Sequence, residues 1–535
     1  MKTFDKFAIE NNYTEMPKQQ TDYLFQLIKS LSKAEKRNFK LYTSKGKNGE
    51  EPKFLQLFDI LEKQKEYNEA DILKKAKNIK SRQLSNLKSH LYKQILKSLR
   101  LQQLNNDQEI NIREWIDYAK VLYNKGLYKQ SLKILEKIKN TALRHQKPVL
   151  HYEIIEFEKL IELQYITRSM ENRADELTSE ASNAAAKITS AGSYSNLALK
   201  LYSLYLKVGS VRNKKDMLMI SQFFSSHFHP PQNISQCTFY EKLYIYQSYV
   251  WYYNIIQDFV KCYKYSKKWV ELFRDDPDMI QNQTDLYLKG INNLLVSLHM
   301  TRYHSMFKQE LDNLTELSTQ KEIPLNDNNL LLYNLFKYTH TINYHFLEGT
   351  FKEGTKLIPE INNFIEENRQ RLDNHRVLVF YYKIASLYFG SGDYRNAIVY
   401  LNHILNYRDT SLRGDIHCFS RLLNLVSHFE LGHDDLIEYQ VKSTYRFLYK
   451  MDNLQEVQKE ILAFLRRLSR IEPGKLKDEF RKLHEKFVSL ENNPFEKRAF
   501  YYLDMISWLE SKIQDRPVQD IIREKALKDK ENSKL

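Results

Sequence analysis

Residues 379–405 read VFYYKIASLYFGSGDYRNAIVYLNHIL. Tyr381, Ile384, Ala385 and Tyr388 recur at spacings of three and four, which puts them on one stripe of a helix. Gly392 and Asp393 then supply a tight turn, and Tyr394, Ala397, Ile398, Leu401 and Ile404 mark the stripe of a second helix. The spacing predicts an antiparallel helical hairpin. Small Ala385 and Ala397 stand where the two helices approach closely, and Tyr381 and Tyr388 fill the space around them.

Two other stretches carry the same order of residues. WIDYAKVLYNKGLYKQSLKILEKI, from Trp115, has Ala119, Leu122, Gly126, Tyr128, Ser131, Leu135 and Ile138 in matching places. YTHTINYHFLEGTFKEGTKLIPEI, from Tyr338, has His345, Gly349, Phe351 and Gly354, with Ile342 in place of the small residue. Its Pro359 lacks an amide donor and should kink the second helix. Weaker relatives surround Phe259 and Cys262 and the turn at Gly432. These stretches resemble the tetratricopeptide repeat, whose pattern runs aromatic, Leu, Gly or Ala, Tyr, then Gly-x-Tyr, Ala, an aromatic or Leu, and Ala.

Taken in order, the turn positions are Gly126, Arg168, Gly209, Gln257, Arg302, Gly349, Gly392 and Gly432; Arg168, Gln257 and Arg302 are inferred from spacing. Their mean interval is near 44 residues. A standard repeat has about 34 residues, so the resemblance is to longer-helix relatives. Pro148, Pro230, Pro231, Pro277 and Pro324 fall where one hairpin should hand over to the next. The expected fold is all-α: a right-handed α-solenoid of such hairpins with an N-terminal helical subdomain, its core made by neighbours stacking on neighbours. Composition agrees, since 535 residues include only 13 Gly and 11 Pro, too few for turn-rich β folds. At 42% hydrophobic, with 37 Tyr and 28 Phe, the chain can fill a core.

The divisions expected are a tail over 1–16, a basic helical subdomain over 17–105, the hairpins over 106–450, capping helices over 451–515 and a charged tail over 516–535. Helices are expected near 21–42, 54–65, 69–77 and 82–104 in the subdomain. Near the other end, AFYYLDMISWLESKI should form a closing helix, while REKALKDKENSKL, short of apolar residues, should fray into solvent.

The resemblance implies a non-catalytic scaffold holding a protein or peptide, acidic by complementarity with a net charge of +15, against its concave surface. By the family's pattern Ile116, Lys120 and Tyr123 in one unit and Tyr382, Ser386 and Phe389 in another would face that groove. The alternative partner is nucleic acid. No acidic residue lies between Asp71 and Asp107, while Lys74, Lys75, Lys77, Lys80, Arg82, Lys88, Lys93, Lys97 and Arg100 do. Over residues 54–104, with a turn at Asn78-Ile79 between a short helix and a longer one, the chain could form a helix-turn-helix that presents Lys80, Arg82, Gln83, Asn86 and Lys88 to bases and phosphates. Against it, Leu84, Leu87, Leu91 and Ile95 would pack the same helix as a cap, and a charge run is ordinarily a solvated face.

No phosphate loop, dinucleotide fingerprint, HExxH or nucleophile elbow occurs, so an enzyme built on the solenoid is a third reading without nominated residues. No cofactor is expected. His227 with His229, and His340 with His345, lack further ligands at metal spacing. Cys237, Cys262 and Cys418 form no CxxC pair, which suits a reducing cytoplasm. The start, MKTFDKFAIENNYTEM, has no apolar run of signal-peptide length, and no stretch of 18 apolar residues follows; no membrane association is expected.

Overall fold

A computed structural model describes residues 22–44, 52–76, 78–104, 107–164, 172–320, 323, 325–407, 414–451, 455–467, 471–491, 493, 495–502 and 504–532. Among these the secondary structure is helical throughout, with no strand. No described helix is long and apolar enough to cross a membrane. The chain divides into two compact units, residues 1–181 and 182–535.

The first unit opens with α1 (Tyr23–Ser30), α2 (Lys33–Ser44), α3 (Lys53–Lys63), α4 (Glu69–Lys75) and α5 (Ser81–Gln103). Where one helix over 21–42 was expected there are two. Ser32 starts a capping box: the Glu35 amide donates to its hydroxyl at 3.2 Å, and its own amide donates to the Glu35 carboxylate at 2.7 Å. Leu24, Ile28, Phe39, Phe58, Leu84, Leu91 and Ile95 make one core of these five helices. A second core joins α6 (Gln108–Asn124), α7 (Tyr128–Arg144) and α8 (Pro148–Glu162), with α9 (Arg173–Val208) contributing residues up to Ala181 to this unit.

The second unit continues with α10 (Lys214–His227), α11 (Phe239–Ile255), α12 (Phe259–Arg274), α13 (Pro277–Asn282), α14 (Thr284–Met300) and α15 (His304–Glu316). Then come α16 (Asp327–Glu348), α17 (Phe351–Gly354), α18 (Ile358–Glu367), α19 (Asn374–Ser391), α20 (Tyr394–Leu405), α21 (Gly414–Glu430) and α22 (Asp434–Lys450). The last elements are α23 (Glu456–Arg467), α24 (Leu476–Glu491), α25 (Lys497–Tyr502), α26 (Met505–Gln514) and α27 (Val518–Asn532). Pro359 sits where expected to break a helix: α17 and α18 are separated by a 3-10 turn at Thr355–Leu357.

A single register runs through six hairpins. Gly126, Gln257, Arg302, Gly349, Gly392 and Gly432 all have positive φ, between 55° and 85°. Counting back seven residues from each gives Ala119, Val250, Leu295, Ile342, Ala385 and Leu425, and counting forward five gives Ser131, Cys262, Phe307, Gly354, Ala397 and Ile437. All twelve are buried. In two hairpins a side chain crosses the seam, Ser131 donating to the Ala119 carbonyl at 2.8 Å and the Cys262 thiol to the Val250 carbonyl at 3.8 Å. Gly209 shares the positive φ but not the register, for Tyr202 and Lys214 in the equivalent places are exposed. Arg168 and Pro324 lie outside the described residues.

Within the second unit packing is mostly between neighbours: α11 on α12, α12 on α14, α19 on α20, α20 on α21 and α21 on α22. The first helices of successive hairpins also touch, α14 with α16, α16 with α19 and α19 with α21. The end of the chain departs from both rules and from the expectation of a frayed tail. Val518–Asn532 is helical, packs on α26, and returns to α15, α16 and α19. Its apolar residues are few, but Val518, Ile522 and Ala526 recur every fourth residue, and Val518, Ile521 and Ala526 are buried.

Candidate functional site

Three of the residues named from the repeat pattern come together. Tyr382, Ser386 and Phe389 occupy one stripe of α19 and line a cavity of about 400 Å³ in the second unit. Its other walls include the C-terminal halves of α14 and α16, Ile416 and Leu423 of α21, Phe500 and Tyr501 of α25, Asn254 of α11, Phe259 of α12, and α27. The stripe exists because α19 is apolar around most of its circumference: Phe380, Ile384 and Leu387 turn into one core while Tyr382, Ala385 and Phe389 belong to another.

The polar side of the cavity is built on a directed chain of hydrogen bonds. The Lys383 ammonium donates to Asn343 Oδ1 at 2.5 Å, the Asn343 amide donates to His340 Nδ1 at 3.3 Å, and His340 Nε2 donates to Asn292 Oδ1 at 3.0 Å. Burial holds His340 far below the usual imidazole range, with the charge of Lys383 adding to the effect, so the ring is neutral. Its tautomer follows from that chain of partners. His299, which lines the cavity as His340 does not, is pushed down to about 3 by burial and then by Lys383.

α27 closes the other side. Val518, Ile522, Lys525, Ala526 and Asp529 form its cavity face. Charges fix its position along the array. Lys530 donates to Glu348 at 2.5 Å, Asp529 lies 3.8 Å from Arg302 and 3.7 Å from His304, and Arg523 reaches Glu353 at 4.0 Å. Burial alone would raise the Glu348 carboxyl, but hydrogen bonds from His304 and Lys530 outweigh it and hold that carboxyl below its usual range. The composition of residues 516–535 hides this element, because its partners lie up to 182 residues earlier.

The other three groove candidates stand in the first unit. Ile116 and Tyr123 are half-buried on α6 and Lys120 is exposed. The Lys120 ammonium lies 4.7 Å from the Tyr123 ring centroid and 5.1 Å from that of Phe157 on α8, so Lys120 and Tyr123 sit on the α8-facing side of α6.

The nucleic-acid candidates separate. Lys80 precedes α5 and the Gln83 side chain accepts from its amide at 3.4 Å, a capping role. Arg82 and Asn86 are exposed. Lys88 turns inward, pairing with the Asp22 carboxylate and donating to the Tyr67 hydroxyl at 2.8 Å. It is a structural residue of this helical core. Lys75 pairs with Asp71 at 2.8 Å and Arg100 with Asp117 at 3.7 Å. Lys74, Lys80, Arg82, Lys93 and Lys97 have no ion pair among the described residues, and Lys77 lies outside them.

The histidine pairs have other work. His340 bonds within the chain above, and His345 bonds to Thr350 at 2.8 Å. His227 bonds to the Phe223 carbonyl at 2.9 Å. Among the described residues no group of three or more His, Cys, Asp or Glu side chains is placed to hold a metal. None of the family profiles, curated proteins and solved structures compared with the chain matches it.

Proposed function

We propose that the chain is a right-handed solenoid of tetratricopeptide-like hairpins acting as a non-catalytic scaffold in the cytoplasm, and that residues 182–535 hold a protein or peptide helix in a groove formed by α14, α16 and α19. One observation carries this reading: the stripe Tyr382, Ser386 and Phe389 lines a cavity whose facing wall is a helix contributed by the chain itself, and that helix touches α19. The register shared by six hairpins supports the repeat assignment behind it. Helix-in-groove recognition works through apolar anchors at spacings of three and four with charges setting orientation, the arrangement α27 displays.

The test is affinity purification from the native cell with quantitative mass spectrometry, comparing wild type, Ser386→Arg and Val399→Ala. Ser386 is half-buried on the cavity wall, so an arginine there obstructs the groove; Val399 is exposed on α20 and serves as a control. A bound protein should be lost from the first variant and kept by the second. Identical recovery from both would rule the groove out.

A second reading draws on the first unit. On α5, Arg82, Asn86, Ser89, Lys93, Lys97 and Arg100 fall within an arc of about 80° at 100° per residue, opposite buried Leu84, Leu91 and Ile95. This stripe suits a phosphate backbone better than base readout, since Lys88 and Gln83 are engaged within the protein. Titration with duplex DNA and RNA at two salt concentrations should give a log–log salt slope near −3 to −4 if about four phosphates are contacted. Absence of binding at low salt removes this reading.

A further inference from the structure

We propose that α27 is an exchangeable occupant of the groove, standing in for a helix of a partner protein. The inference rests on the groove reading above and adds the chemistry of the partner and the means of its control. Three observations point to exchange. First, α27 departs from neighbour-to-neighbour packing by reaching back to α15, α16 and α19, so its removal leaves the contacts between successive hairpins in place. Second, much of its hold is polar and partly open to water: Val518, Ile521 and Ala526 are its buried apolar side chains, Ile522 is half-buried, Leu527 is 56% exposed, and the ion pairs of Lys525, Lys530, Asp529 and Arg523 are partly solvated. Third, it covers the groove without filling it. A cavity of about 400 Å³, partly open to solvent, is lined by its inner face together with Asn343, Tyr382, Lys383 and Ser386 and by residues of α11, α12 and α25.

The partner that fits is an amphipathic helix with apolar residues spaced as Val518, Ile522 and Ala526, bulkier than alanine at the last of these. An acidic residue followed by a basic one, in the places of Asp529 and Lys530, would meet Arg302 and Glu348. Threonine, asparagine and serine on the groove wall allow a polar side chain between the anchors.

A fluorescein-labelled synthetic peptide of residues 516–532 is the probe, titrated by fluorescence anisotropy into full-length wild type and into full-length Ile521→Asp/Ile522→Asp, whose own α27 cannot dock. A tethered helix acts at an effective concentration of about 1 mM, so a peptide with a Kd of about 10 μM should bind wild type roughly 100-fold more weakly than the variant. The same peptide carrying Ala526→Leu should bind the variant several-fold more tightly. Adding Gly349→Ala to the variant should abolish binding. Equal affinity for wild type and variant would overturn exchange while leaving the groove reading to its own Ser386→Arg test. Absence of binding to a variant with wild-type circular dichroism, or binding that survives Gly349→Ala, would also overturn it. Hydrogen exchange on unaltered protein gives an independent check: α27 amides should exchange at least 10-fold faster than those of α16, and equal protection contradicts exchange.

Discussion

Gly349 and Arg523 touch backbone to backbone: a Cβ on Gly349 would stand 2.5 Å from the Arg523 amide nitrogen and 2.7 Å from the Gln519 carbonyl oxygen. Glycine is therefore required twice at this turn, once for its φ of +64° and once for the approach of α27. Gly432 separates the two requirements, since its φ is +69° and nothing lies within 4 Å of the corresponding Cβ. Gly432→Ala should cost only the left-handed strain, about 1–2 kcal/mol. Gly349→Ala should cost about 3 kcal/mol more and release α27, since that loss undoes a 100-fold docking preference and backbone cannot step aside as a flexible side chain does. Urea unfolding combined with limited proteolysis beyond Asp515 checks both. Equal destabilisation with α27 still protected would contradict the contact.

In the first unit, Glu158 is 1% exposed, with Lys139 at 2.8 Å and Arg173 at 3.3 Å, while Lys139 also holds Glu180 at 3.1 Å. Removing one partner of a buried pair leaves an uncompensated charge. With Arg173 still present, Lys139→Met should cost about 3 kcal/mol at neutral pH. Burial pushes the Glu158 carboxyl up, and the attraction of Lys139 and Arg173 offsets that only in part. A carboxyl with a higher pKa folded than unfolded contributes stability below its unfolded pKa and loses it as pH rises through the folded one. This site should therefore gain stability as pH falls from 7 towards the unfolded carboxyl's range of about 4.3. The cost of Lys139→Met should shrink over the same interval as Glu158 takes up a proton, and Glu158→Gln should remove the pH dependence. Denaturant midpoints at the two pH values decide; a cost that grows on acidification would reverse the assignment.

The hairpin seams give a packing prediction. Ala385 and Ala397 are both fully buried where α19 meets α20. A leucine at either place overfills the seam, so Ala397→Leu should destabilise by about 1–3 kcal/mol. Val399, two residues on and 51% exposed, should accept leucine within about 0.5 kcal/mol. Thermal unfolding of the two variants side by side makes the comparison, and similar melting temperatures would argue against close contact at the seam.

Much of this architecture was legible because it is local. Hairpins announce themselves through a 3.6-residue period and a turn residue, and even Gln257 and Arg302, placed by interval alone, have the positive φ of the glycine turns. Ala119 and Ser131, or Ala385 and Ala397, can be read as facing pairs because each pair stands seven residues before and five residues after its turn. Tyr382, Ser386 and Phe389 were legible as one stripe for the same reason. The rest depends on residues far apart in the chain. Lys530 meets Glu348, and Lys383 meets Asn343, through matches between distant polar side chains that leave no periodic mark. Counting apolar residues in α27 misses a helix that three buried apolar side chains, buried Gln519 and a set of charges hold in place. Likewise, nothing periodic distinguishes inward Lys88 from outward Lys93; Asp22 and Tyr67 decide it.

That difference can be measured. The Asp22 side chain is 8% exposed and faces Lys88, so Lys88→Ala strands a carboxylate and should lower the stability of the α1–α5 core by about 3 kcal/mol. Burial lowers the Lys88 pKa, but the hydrogen bonds to Asp22 and Tyr67 outweigh it and leave the group raised. The ammonium thus contributes stability throughout the neutral range, lost only as pH climbs through its folded pKa. Lys93→Ala and Lys97→Ala, on the exposed face of α5, should each change stability by no more than about 0.5 kcal/mol. For polyanion binding the order reverses: each of these two substitutions should reduce the log–log salt slope by about 0.9, whereas Lys88→Ala should leave the slope unchanged wherever the protein remains folded. A loss of slope from Lys88→Ala equal to that from Lys93→Ala would mean that Lys88 reaches phosphate after all, and the inward assignment would fall.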